Sequence, residues 1–304
     1  MELFTRYDGN PVLEVSGWPG AVNAVFNPAA VELDGETLLL VRVEDRTGVS
    51  HLGVARSSDG LTGWTIEPAR ALLPDLASDE ERFGIEDPRI TRIGEEWAIV
   101  YTGFSTGGPL VLLATTRDFR SYARLGVVGP PRNKDAALFP GRFDGLYALL
   151  HRPMADGRGT GAGIWISWSL DLRHWGGHRL VLGPGDAGSW ASQKVGLGPP
   201  PLLTDAGWLI LYHGVRETAA GSIYRVGLAL LDRERPDRVL ARSADWVFGP
   251  DAPYERVGDV GNVVFPCGWI LGADGDTLRV YYGAADTCVC VATASLEALL
   301  RHLG

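Results

Sequence analysis

Cysteine is scarce in this sequence: three residues in 304, with Cys288 and Cys290 two apart and Cys267 directly behind a proline. Neither a metal-ligand spacing nor a disulfide framework can be built from that set, so all three read as reduced packing residues and no metal site is expected. Long apolar runs are missing as well. No segment approaches about eighteen uninterrupted apolar residues, and Met1-Glu2-Leu3-Phe4-Thr5-Arg6-Tyr7 has no basic region leading into an apolar one, so neither a membrane-spanning helix nor a secretory leader is expected. A cytoplasmic location follows as the expectation. Positive charge is in deficit, the formal net charge being −9, which argues against nucleic acid or an anionic membrane as partner. Helical periodicity is nearly absent; only Ser295 to Leu300 reads as a short amphipathic tail.

What the chain has in quantity is turn and strand chemistry. Forty glycines, nineteen prolines and ten tryptophans lie in a background rich in Val, Thr and Tyr, and the 45% apolar and 21% charged content is that of a globular protein of the all-β class. One three-part pattern occurs five times. Its first part is an apolar strand interrupted by a proline, at Pro28, Pro88, Pro140, Pro200 and Pro266, about 60, 52, 60 and 66 residues apart. The second is a Gly or Asp turn leading into a strongly apolar strand with a polar tail: Leu38 to Glu44, Trp97 to Phe104, Leu146 to Arg152, Trp208 to Val215 and Leu278 to Asp286. The third is a strand ending in a small polar turn, as at Ser57-Ser58-Asp59, Thr116-Arg117-Asp118 and Ser169-Leu170-Asp171, with an aromatic residue soon after at Trp64, Tyr122 and Trp175. A unit of about 60 residues with three or four strands matches a propeller blade, which cannot bury both faces alone and stacks on its neighbours. The expectation is a five-bladed β-propeller, residues 1–304 forming a single domain.

In a propeller the innermost strands line a central channel, so the polar residues of the first and second parts should converge there. Phe83-Gly84-Ile85-Glu86-Asp87-Pro88-Arg89 is the most telling stretch. A proline cannot donate to a ladder and an unpaired buried carboxylate is costly, so this strand should end at a cavity with Asp87 aimed into it. Asp87 is the candidate acid of a sugar-processing enzyme; the alternative is that Glu86 and Asp87 pair with Arg89 or Arg82 at a turn. Asn27 occupies the matching place in the first repeat, and an amide beside a carboxylate suits a ring with several hydroxyls. Lys134, Arg152, Lys194 and His213 come from the third and fourth repeats only, and such a basic set suits phosphate or carboxylate. Each also has a plainer reading: Arg42 paired with Glu44 or Asp45, Lys134 with Asp135 at a turn, His213 as a core histidine, Asp286 as a turn cap. Recurrence at equivalent places in the repeats favours one shared pocket.

These residues carry a family resemblance. Asn27-Pro28, Arg42-Val43-Glu44-Asp45-Arg46, Glu86-Asp87-Pro88-Arg89-Ile90-Thr91, Asn133-Lys134-Asp135, Leu138-Phe139-Pro140, His151-Arg152-Pro153, Tyr212-His213-Gly214 and Tyr281-Tyr282-Gly283-Ala284-Ala285-Asp286, in this order, resemble the successive motifs of glycoside hydrolase family 130, mannoside phosphorylases and some mannosidases. The resemblance runs from about residue 23 to the C-terminus. It implies an inverting reaction on a β-mannoside with Asp87 as proton donor, the proton passing through a hydroxyl of the mannose. It implies further that Asn27, Arg42 and Asp286 hold the mannose, and that Lys134, Arg152, Lys194 and His213 bind inorganic phosphate with Tyr224 assisting. Lysine at 134 departs from relatives acting on 1,4-linked mannosides, which often have arginine there; Asn133-Lys134-Asp135 is more similar to members acting on 1,2-linked ones.

The chemistry is coherent on its own terms. An inverting glycosidase needs an acid for the leaving group and a base for water, whereas phosphate is already an anionic nucleophile and needs cations in place of the second carboxylate. The expected reaction is therefore phosphorolysis of a β-1,2-linked mannoside to α-mannose 1-phosphate, with phosphate as co-substrate and no cofactor. Alternatives are a β-1,4-mannoside phosphorylase and a hydrolytic β-mannosidase, for which Glu86, Glu44 and Asp259 are the available bases, none of them in the basic region. From another class comes a non-catalytic carbohydrate-binding propeller using Trp190 and Trp269. Acceptor choice should rest on loops at the channel mouth, Asp75 to Phe83, Met154 to Gly163 and Gly185 to Ala191, which a neighbouring subunit of a homo-oligomer could complete.

Overall fold

The computed structural model describes residues 3–154 and 162–304. It is a five-bladed β-propeller built from five antiparallel sheets. A short N-terminal strand, β1 (Thr5–Arg6), precedes the first blade, formed by β2 (Val22–Leu33), β3 (Glu36–Asp45), β4 (Ser50–Ser57) and β5 (Thr65–Leu72). The second contains β6 (Ile85–Ile93), β7 (Glu96–Ser105), β8 (Gly108–Thr116) and β9 (Ala123–Val127), and the third β10 (Asn133–Phe143), β11 (Leu146–Pro153), β12 (Ile164–Ser169) and β13 (Gly176–Leu182). In the fourth, the inner strand is broken into β14 (Lys194–Leu197) and β15 (Leu202–Thr204), both paired with β16 (Gly207–Thr218), followed by β17 (Gly221–Leu231) and β18 (Val239–Arg242). The break falls at Pro199-Pro200-Pro201, three residues without an N–H to give the ladder. The fifth has β19 (Val264–Leu271), β20 (Thr277–Ala284) and β21 (Cys288–Ser295), and takes β1 as its outer strand in the register Thr5↔Thr293, Arg6↔Ala292.

Blade stacking explains the hydrophobic pattern. Leu38 and Leu40 of β3 pack toward the second blade, while Leu39, Val41 and Val43 pack toward the fifth. A strand covered on both faces has no polar face to alternate with, hence the unbroken run Leu38-Leu39-Leu40-Val41. One apolar cluster fills each of the five junctions between neighbouring blades. The turns are equally local in origin. Asp34-Gly35 and Asp144-Gly145, both residues of each pair at positive φ, close the β2–β3 and β10–β11 hairpins. After the third strand of four blades, Asp59, Asp118, Asp171 and Asp232 each accept two backbone N–H groups. Trp64, Tyr122 and Trp175 then hydrogen-bond back to carbonyls three residues upstream.

Three features differ from the sequence-based expectation. The outer strands had no assigned residues, because exposed strands such as β13 lack an apolar run. Ring closure through β1 was also unforeseen: Arg6 forks onto the fully buried Glu255 at 2.8 and 2.9 Å, and Phe4 packs on Phe248. Glu255 belongs to a one-turn helix, α1 (Pro253–Arg256), absent from a reading that admitted only the C-terminal helix. That last helix, α2 (Leu296–Leu303), is present and is capped by Ser295 accepting from the Ala298 N–H. Among the described residues, no helix is long and apolar enough to cross a membrane.

Candidate active site

The inner strands of the first three blades carry the same irregularity. The ladder skips between Phe26 and Ala29, between Glu86 and Arg89, and between Lys134 and Ala137, and the bulged residues Asn27, Asp87 and Asp135 all have positive φ, near 50°. Asn and Asp tolerate this left-handed conformation better than other side-chain-bearing residues, and a bulge re-aims the side chain it carries. The third blade therefore corrects the sequence alignment. Its counterpart of Asp87-Pro88 is Asp135-Ala136, not Phe139-Pro140; Ala136 stands where the first two blades have proline, which hid the match.

Asp87 is 3% exposed and ionised. Its Oδ1 accepts from Asn27 Nδ2 at 2.8 Å and Arg42 Nη1 at 3.2 Å, and Lys134 Nζ stands 3.9 Å from Oδ2. Burial pushes its carboxyl up, but Arg42, Lys134 and Arg89 outweigh that and hold it below the usual value. Arg42 also reaches Glu86 and Glu44, at 3.1 and 3.3 Å, and its guanidinium lies over the Phe26 ring. Asp286, at positive φ in the turn after β20, faces the same group. Burial first, and then the charge of Asp87, raise its carboxyl to about 6. Gly283 makes room for the Asn27 amide, with which a Cβ there would collide.

Arg89 is not the partner of these carboxylates. Fully buried, it donates to the Asp87 backbone carbonyl at 2.8 Å and, across the channel, to the carbonyls of Leu197 and Gly198, both at 3.1 Å. The acids instead belong to Arg42 and Lys134, so the turn-pair alternative with Arg89 does not hold. Lys134 likewise pairs across blades, with Glu86 at 3.7 Å and Asp87 at 3.9 Å.

On the side formed by the third and fourth blades, Arg152 Nε donates to Asp135 Oδ2 at 2.6 Å, and His213 Nε2 lies 3.4 Å from the same oxygen. Arg152 is 4% exposed, yet its two terminal nitrogens have no partner among the described residues and are not sealed from solvent. Lys194 has no carboxylate partner among the described residues; its ammonium stands over the Tyr224 ring at 5.2 Å. His213 packs on Phe265 and Tyr224. Burial pulls its imidazole down to about 4 despite Asp135, so it is neutral at physiological pH. The expected four cations are thus three, with one carboxylate among them. Asp135 is expected at the axis from its sequence, as the neighbour of Lys134, but without a role of its own; the signal that could have assigned one is its place 17 residues before Arg152 on the strand that pairs with it.

Asn27, Arg42, Asp87 and Asp286 are brought together around one set of charges, and Lys134, Arg152, Lys194, His213 and Tyr224 around the other, with Lys134 between. The acids Glu44, Glu86 and Asp259 all lie with the first set, Asp259 and Glu44 sharing the Asn23 amide. Trp190 stacks on Tyr212 inside the junction of the third and fourth blades and donates to the Ala244 carbonyl, and Trp269 packs into the core between the fourth and fifth. Neither is a sugar platform. Of the three loops expected at the mouth, residues 155–161 of Met154 to Gly163 lie outside the described residues.

Comparison with known proteins gives concordant results. The glycoside hydrolase 130 family model, described as beta-1,4-mannooligosaccharide phosphorylase, matches residues 5–303. A β-1,2-mannobiose phosphorylase from Listeria innocua is 40% identical over 84% of this chain and 70% of its own length. A β-1,4-mannooligosaccharide phosphorylase from Ruminococcus albus is 33% identical over 99% of this chain and 91% of its own. The solved structure of a Listeria innocua β-1,2-mannobiose phosphorylase in complex with β-1,2-mannobiose superposes over 99% of both chains, with a TM-score of 0.90 and 32% identity.

Proposed function

The chain belongs to glycoside hydrolase family 130, and from that premise and the charges at its axis we propose that it cleaves β-mannosides by inverting phosphorolysis. The observation that carries this reading is a pair of cationic groups with free donors: the terminal nitrogens of Arg152, whose Nε alone is taken by Asp135, and Lys194, neither of which has a further carboxylate partner among the described residues. Donors of two cations left free side by side on a channel suit an anion placed between them.

The mannose lies against Asn27, Arg42 and Asp286, and phosphate against Arg152 and Lys194, with His213 and Tyr224 beside it. Phosphate attacks C1 as the C1–O bond to the leaving sugar breaks, so a β-glycoside gives α-mannose 1-phosphate. Proton balance is simple. Hydrogen phosphate enters with one proton, mannose 1-phosphate leaves as the dianion, and the alcohol released carries the proton. Asp87, ionised at rest, takes up a proton from solvent as substrate binds and gives it to the leaving oxygen, while hydrogen phosphate releases its own to solvent; the restored carboxylate is also the base form required to take the acceptor's proton in the reverse, synthetic direction. Phosphate is a co-substrate, and no metal or organic cofactor is needed. Formation of a charged product fits a cytoplasmic enzyme.

Hydrolysis has less support. The carboxylate found among the cations, Asp135, is tied by Arg152 and His213 and sealed from solvent, so it has no access to water. For the linkage, Asn133-Lys134-Asp135 and the similarity to the Listeria proteins favour β-1,2; the family description and the Ruminococcus relative make β-1,4 the second candidate. The test is incubation with β-1,2- and β-1,4-mannobiose, each with and without inorganic phosphate. Mannose 1-phosphate formed only with phosphate is expected, fastest from the 1,2-linked sugar; free mannose at equal rates in both conditions would overturn the reading.

A further inference from the structure

We infer that Asp135 is the positioning residue of the anion subsite, acting through Arg152 and His213 without touching the anion itself. The inference rests on the phosphorolytic reading above and adds to it a residue that reading does not use. A carboxylate among cations meant for phosphate repels the ligand, so its presence needs a reason. The geometry supplies one. Asp135 Oδ2 takes the Arg152 Nε–H at 2.6 Å, and this bond fixes the plane of the guanidinium so that its two terminal nitrogens are presented together. The same oxygen lies 3.4 Å from His213 Nε2; with the ring neutral, the carboxylate selects the tautomer that has its proton on Nε2. Asp135 Oδ1 is sealed from solvent and has no hydrogen-bond partner among the described residues, so no anion in the channel can reach it.

Local structure is built around this arrangement. Asp135 is held at φ 52° by the bulge that gives Asp87 and Asn27 their direction. Gly196 of β14 leaves the space in which the carboxylate meets the imidazole, since a Cβ there would collide with both. Three elements from two blades are therefore fitted to one buried charge that binds no substrate.

Asp135→Gly is the informative substitution, because glycine accepts the left-handed backbone and removes the acceptor, which asparagine would keep as its amide oxygen. Its effect on charge and its effect on positioning have opposite signs. Removing a negative charge should tighten phosphate binding, whereas releasing the Arg152 fork should weaken it. The positioning role predicts a KM for phosphate raised about tenfold, the loss of roughly one charge-assisted hydrogen bond, with the KM for mannobiose within about twofold of wild type. Phosphate binding followed by titration calorimetry should weaken by the same factor without reliance on turnover. In an Arg152→Lys background, where no Nε remains to be positioned, only the charge effect is left, so Asp135→Gly should no longer raise the KM for phosphate. An unchanged or lowered KM for phosphate, an equal rise in both KM values, or full additivity with Arg152→Lys overturns the inference. Wild-type protein that binds phosphate by calorimetry but forms no mannose 1-phosphate would instead overturn the phosphorolytic reading and leave the subsite intact; failure to bind phosphate at all removes both.

Discussion

Replacing Asp87 by asparagine separates the proton from everything else this residue does. Asparagine tolerates the positive φ at position 87, and its carbonyl can still accept from Asn27 Nδ2 and Arg42 Nη1. Nor does the lost charge strand a cation: Arg42 keeps Glu44 and Glu86, and Lys134 keeps Glu86. Stability should therefore change by no more than about 1 kcal/mol. The chemical step should not survive so well. Losing a general acid typically costs about 10²- to 10⁴-fold in rate, or about 3 to 5 kcal/mol on the barrier. The assay is release of mannose 1-phosphate from mannobiose, compared with an aryl β-mannoside whose leaving group, such as 2,4-dinitrophenolate, needs no proton. The loss should be large on the disaccharide and below about tenfold on the aryl mannoside. Equal losses on both substrates, or a small loss on mannobiose, would refute proton delivery by Asp87.

Two further outcomes follow from buried charges. Because Asp286 is raised to about 6, the folded protein binds a proton there more tightly than the unfolded chain does. Its contribution to stability is then favourable at acid pH and is lost as pH rises from about 4 to about 6. Asp286→Asn should remove that penalty, stabilising the protein at pH 8 by up to about 3 kcal/mol and far less at pH 4 while impairing turnover; equal shifts in melting temperature at both pH values would contradict it. Glu255 accepts the two Arg6 bonds, the Tyr282 hydroxyl at 2.8 Å and the N–H groups of Asp251 and Ala252 at 2.6 and 3.0 Å. Glu255→Gln should thus cost about 3 kcal/mol in urea unfolding by loosening ring closure, and an unchanged midpoint would show that β1 is held by packing alone.

Much of the architecture was legible because a blade is a local object. Apolar central strands recur in all five units, Asp turns in four and an aromatic residue behind the turn in three, and together they identify five blades without any long-range information. Where a blade departs from the pattern, the reading slipped. Ala136 in place of proline shifted the third blade by four residues, so Asp135 passed for half of a turn ion pair. The two residues of β1 are too few to show any period, and their role depends on pairing with a strand almost three hundred residues away.

The site divides in the same way. The sequence by itself determined which chemical groups are available and that bulged inner strands turn Asn27 and Asp87 toward the axis, because turn and bulge preferences are short-range and set by backbone sterics. Tertiary structure alone decided how the charges are shared: Arg42 with three acids, Arg89 with carbonyls across the channel, Asp135 with Arg152, and His213 neutral. Coulombic and desolvation energies depend on distances between residues from different blades and on the depth at which they are buried, and neither quantity is written in the order of residues along the chain.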